Sequence, residues 1–129
     1  DRIDLHIEVP AVPFKDLSSD PTGESSAEIR TRVNEARARQ LLRFKDTPRQ
    51  FCNAHMESRE IREYCKVNHA AHEVLRNAIT KLGLSARAYD RILKVSRTIA
   101  DLECSDDIAS IHVGEAIQYR SLDRAMWRE

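Results

Sequence analysis

Long apolar runs are missing from this sequence. No stretch is long enough to cross a bilayer, and no opening segment has the layout of a secretory signal. Net charge is missing too: 21 Lys and Arg balance 21 Asp and Glu. Overall charge therefore gives no ground for binding nucleic acid or a membrane, and only local patches could do so. Aromatic residues make up 5% of the chain, which leaves any core mostly aliphatic. The three cysteines, Cys52, Cys65 and Cys104, are odd in number and lack disulfide-like spacing. They read as reduced thiols of a cytoplasmic protein. There is no internal repeat. What is present is 129 residues, 41% hydrophobic and 33% charged: enough for one rather polar domain with its own core.

The chain opens at Asp1 on a strand-like pattern, which reads as a piece of a longer protein. In RIDLHIEV (2–9), Ile3, Leu5, Ile7 and Val9 share one face while Arg2, Asp4, His6 and Glu8 share the other. Pro10 and Pro13 stop this half-buried strand. It should pair with something outside the chain or lie along the helices. KDLSSDPTGESS has the composition of a linker. From there the signals are helical. Ser25 and Glu28 fit a capping box, and Ile29, Val33, Ala36, Gln40 and Leu41 form the inward stripe of a helix ending near Phe44. Arg30, Arg32, Arg37, Arg39 and Arg43 crowd its other faces, and Pro48 breaks the chain. A short helix over 57–65 turns Ile61, Tyr64 and Cys65 inward. Asn68 caps a third helix with Ala71, Val74, Leu75, Ala78, Ile79 and Leu82 inward, ended by Gly83. Ser85 caps a long fourth helix, with Tyr89, Ile92, Leu93, Ser96, Ile99, Ala100 and Leu102 on its core face. CSDDIAS is a turn, and Ser110 caps a fifth helix carrying Val113, Ala116, Ile117 and Tyr119. The prediction is all-α: a small helical bundle behind an extended arm.

Arg87 lies in the first turn of the fourth helix, where the backbone dipole is already positive. On a solvated surface that costs little. Alternatively, the site awaits an anion, which both the guanidinium and the helix N–H groups would favour.

The segments DRIDLHIEVPAVPFKDLSSDPTGESSAEIRTRV, KLGLSARAYDRILKVSRTIADL and HVGEAIQYRSLDR resemble the magnesium-chelatase-like AAA+ ATPases, and among them the bacterial YifB/ComM type. That resemblance implies that 1–14 is the last strand and exit of an α/β ATPase core, a remnant of the core β-sheet. It implies that 15–25 is a linker, 26–120 the helical lid and 121–129 a tail. It further implies that the lid helps to complete the site for ATP and magnesium, next to its own N-terminal core and to identical subunits in a hexameric ring. DNA is the implied partner of the whole protein, through branch migration. The resemblance makes Arg87 a sensor 2 residue for the γ-phosphate of ATP, with Arg91 able to share the site. Arg2 matches the arginine finger that reaches the neighbouring subunit's ATP. The chain has no G-x-x-x-x-G-K-[ST], so by itself it should neither bind ATP in the usual way nor hydrolyse it.

Two other readings stay open on the residues. One is a stand-alone helical module that binds protein or DNA through the Arg30–Arg43 face. The other is a zinc-stabilised bundle built on Cys52, His55, Cys65 and His69, with His72 in reserve. Against the second, cysteines beside apolar periods are usually core, and no metal ligand is assigned.

Overall fold

The computed structural model describes residues 5–7, 23–47 and 49–127, the last seven by their backbone alone. Five helices follow in order: α1 (Ser26–Arg43), α2 (Ser58–Tyr64), α3 (His69–Leu82), α4 (Ala86–Leu102) and α5 (Ser110–Trp127), with a 3-10 turn at Asn53–His55. Among the described residues the only β pairing is an isolated parallel bridge between Val67 and Ile108. The all-α expectation therefore holds.

Helix starts follow the local chemistry. Ser25, Asn68 and Ser85 are extended, and each accepts a hydrogen bond from the N–H three residues on. Helix α3 ends at Gly83 in the left-handed region, where Gly83 N–H reaches Ile79 O. The fifth helix departs from expectation. Ser110 is its first residue rather than its cap. The N–H of Ala109 is received instead by Nδ1 of His112, at 2.9 Å. The helix then runs on past residue 120 to Trp127.

Helix α4 is the axis of the bundle, touching α1, α2, the 3-10 turn and α5, while α5 also packs on α3. Leu75, Ile92, Leu93, Ala100, Ile108, Val113 and Ala116 fill the centre, joined by Ile61 and Cys65 of the α2 region and by Phe44 after α1. The inward stripes expected for the second to fourth helices are buried or half-buried throughout. The α1 stripe is the exception. Ala36 and Gln40 are buried, but Ile29 and Val33 on the same stripe stay 43% and 40% exposed, and Leu41 is exposed as well. Partners of α1 reach only its C-terminal half: Cys104 faces Glu35, Asp106 faces Arg39 and Asp101 faces Arg43. Val33 only rims a groove shared with Thr98 and Leu102 of α4.

Of the arm, Leu5–Ile7 lie against the helices, with His6 N–H donating to the carbonyl of Tyr119 at 2.9 Å. Leu5 and Ile7 wall a groove of about 330 Å³ with Val95, Ile99, Leu102 and Tyr119. Arg2, Pro10, Pro13 and Pro48 lie outside the described residues.

Candidate functional site

The segment LGLSAR is built as a rigid corner. Gly83 takes the left-handed conformation (φ 61°) that closes α3, and Leu84 packs against the core. Ser85 then opens α4, its Oγ accepting from Ala88 N–H at 3.2 Å. Ala88 is buried, which fixes the rotation of the first turn and leaves Arg87 exposed. Arg91 and Lys94 are half-buried. Spacings of four and seven put all three cations on one stripe of α4, opposite Ile92 and Ser96. Lys94 Nζ donates to the carbonyl of Ala54 at 3.3 Å. Arg87 and Arg91 both engage other groups of the chain, so an incoming anion would compete for their guanidiniums. Arg87 is thus where the sequence reading put it, with Arg91 one turn away. Arg2 cannot be placed beside them, because it is outside the described residues.

A cleft of about 680 Å³ opens beside the same turn, between Tyr89, Asp90 and Leu93 of α4 and Ser58, Arg62, Cys65 and Lys66. Its floor is not reactive. Burial pushes the Cys65 thiol up to about 12, and Sγ lies 4.0 Å from the sulfur of Met56. A thiol held that far from ionisation is neither nucleophile nor ready metal ligand. The other zinc candidates are dispersed. His55 Nδ1 accepts from Phe51 N–H, Cys52 lines the groove beside α1, and His69 starts α3. Among the described residues no three of His, Cys, Asp and Glu come together as a metal site.

The arginine face of α1 is largely committed elsewhere. Arg32 pairs with Glu24, Arg39 with Asp106 and Arg43 with Asp101. Only the last is substantially buried, and it belongs to a network that the apolar pattern did not reveal. Asp101 is fully buried and accepts both guanidinium nitrogens of Arg43, at 2.7 and 2.9 Å, and Nδ2 of Asn53 at 2.9 Å. Nε of Arg97 lies 3.4 Å from the same carboxylate, and its other nitrogens donate to the carbonyls of Ser105 and Asp106. Burial pulls the Arg97 guanidinium below its ordinary value, opposed by Asp101. The available signal was Arg97-x-x-x-Asp101, an i, i+4 ion pair inside a helix with a strong core face.

The sequence pattern of the family described as magnesium chelatase, subunit ChlI C-terminal, matches residues 23–120. An uncharacterized protein YifB of Salmonella typhimurium is 44% identical over 127 residues. The competence protein ComM of Haemophilus influenzae is likewise 44% identical, and an uncharacterized protein YifB of Escherichia coli is 43% identical. In each case the match covers 98% of this chain but only 24% of the relative, so the chain spans about a quarter of their length.

Proposed function

The chain belongs to the magnesium chelatase ChlI C-terminal family, and from that membership we propose that it is the helical lid of a ring-forming AAA+ ATPase. The observation that carries the proposal is the LGLSAR corner. It holds Arg87 exposed at the start of the axial helix, where guanidinium and helix dipole act together on an anion. In this reading Arg87 contacts the γ-phosphate of ATP bound to its own subunit, and Arg91 supports it. Arg2 serves as the finger reaching the ATP of the next subunit. Such arginines stabilise charge that develops on the transferred phosphoryl group, a role worth roughly 10³–10⁵ in rate for trans-acting fingers. Gain and loss of the γ-phosphate would then move the lid relative to the core. In this reading magnesium and the phosphate loop belong to the ATPase core that the lid completes.

DNA branch migration is the favoured use of the ring. It rests on the family text LHIEVP and AIQYRSLDR and on one relative being named a competence protein. DNA binding through the Arg30–Arg43 face is the second reading; Arg32, Arg39 and Arg43 already hold carboxylates, so phosphate would have to compete there as it would at Arg87 and Arg91.

The test uses the full-length protein. ATPase rate and ATP affinity are compared for wild type, Arg87→Ala and Arg2→Ala, and each variant is then mixed with a subunit whose phosphate loop is inactivated. Both variants should lose hydrolysis. Only the Arg2→Ala mixture should recover part of it, because some interfaces then join an intact phosphate loop to an intact finger. Recovery with Arg87→Ala would overturn its assignment to its own subunit's ATP. Normal hydrolysis by Arg87→Ala would remove its sensing role altogether.

A further inference from the structure

Helix α1 is attached to the bundle in a different way from the other four. The buried apolar core takes in Phe44 and residues of the other helices, but no described residue of Ser26–Arg43. Of the 18 residues of α1, only Ala36 and Gln40 are buried, and everything from Ser26 to Glu35 is exposed. Apart from the buried methyl of Ala36, what fastens it is polar. Arg43 bonds Asp101 and also Asn53 Oδ1, at 2.8 Å. Gln40 Oε1 accepts from Asn53 N–H at 2.9 Å, and Arg39 bonds Asp106 and the carbonyl of Cys104.

Polar fastenings of this kind release readily, since water replaces most of each bond when a helix lifts away. The usual objection is that parting a buried ion pair strands a charge in the core. Here it does not. Without Arg43, Asp101 keeps Nδ2 of Asn53 at 2.9 Å and Arg97 at 3.4 Å. Arg43, already the more exposed partner, would pass into water. Phe44, by contrast, is buried and packs edge-to-face on Tyr64 with ring centroids 5.5 Å apart, so the chain is pinned just where α1 ends.

We propose that α1 is a detachable switch helix: it undocks from α4 as one unit, pivoting at Phe44, while α2 to α5 stay folded. This rests on packing alone and stands or falls independently of the nucleotide reading.

Amide hydrogen exchange on the full 129-residue chain tests it, in water and in sub-denaturing urea. Amides of α1 should exchange at least about tenfold faster than those of α4 around Ile92–Asp101, with a shallower urea dependence. An undocked helix of this length is only marginally stable in water, so its amides become exposed when it lifts. Arg43→Met should strip the remaining protection from α1 and leave α3, α4 and α5 unchanged. Equal exchange rates and equal urea slopes for α1 and α4 in the wild type would overturn the proposal. So would an Arg43→Met chain that loses protection in every helix or does not fold, because Asn53 and Arg97 would then have failed to hold Asp101.

Discussion

Single residues decide the corners of this domain. Cys104 sits in the left-handed region (φ 58°) just past α4. Ser105 N–H reaches Ala100 O at 2.8 Å, and Cys104 N–H reaches Asp101 O at 3.0 Å. That is the pair of bonds that closes a helix and usually has glycine at the turn. Replacing Cys104 by Gly relieves the strained conformation and should raise stability by about 0.5 kcal/mol, after the larger unfolded-state entropy of glycine is subtracted. Gly83→Ala is the mirror experiment and should lower stability by about 1 kcal/mol, since a Cβ must enter the same region. Urea titration of the two variants should move the midpoint in opposite directions. Asp101→Asn should do much more damage, about 3–5 kcal/mol, because Arg97 is left buried beside a neutral amide. Gly83 was legible as a terminator from its type and place. Asp101 was not, because a charged residue in a helix reads as surface until a partner on another helix is known.

The helices differ in what secures their ends. His112 Nδ1 accepts from Ala109 N–H, so in the neutral ring the proton is on Nε2, which donates to Glu103 Oε2 at 2.7 Å. One buried ring thus ties the end of α4 to the start of α5. His112→Ala should cost about 1–2 kcal/mol, measured as a fall in thermal midpoint, and should fray the first turn of α5. Helix α2 depends on acid. The N–H of Glu57 and then the amide of Gln50 hold the half-buried Glu60 carboxyl below the usual carboxylate range. A lowered folded-state value means the contribution is present above the ordinary carboxylate pKa and is lost as pH falls through the folded one. An NMR titration of Glu60 should therefore show its transition displaced to low pH, with α2 loosening in step. Capping serines and the asparagine were readable in the sequence because they act within four residues. The histidine was not, because its second bond crosses to another helix.

At the scale of the whole molecule, the core surrounds α4, taking in residues of α2, α3 and α5 with Phe44 and Met56, and does not extend along α1. Ile92→Ala should lower global stability by about 2–4 kcal/mol, since the side chain is fully buried among those helices. Ile29→Ala and Val33→Ala should each stay within about 0.5 kcal/mol, although the sequence gives all three the same apolar label. Chemical denaturation of the three variants separates them. Comparable losses at all three sites would mean that the α1 stripe is part of the core after all. Among the described residues no helix is long and apolar enough to cross a membrane.

The sequence alone determined the helical class, most helix boundaries, the stripes of α2, α3 and α4, the LGLSAR corner and the family. All but the family, which rests on the resemblance of whole segments, depend on residues a few positions apart, where spacing fixes geometry. Tertiary structure decided the rest. It left Ile29 and Val33 exposed because the groups that fasten α1 all lie along its C-terminal half. It buried Asp101 because Arg43 and Asn53 arrive from other segments to satisfy it, and Arg97 because the carbonyls of Ser105 and Asp106 do the same. It gave α1 a polar seat with an apolar pin at Phe44. Burial is a property of what lies opposite a residue, and periodicity along one helix says which side faces inward without saying whether anything is there.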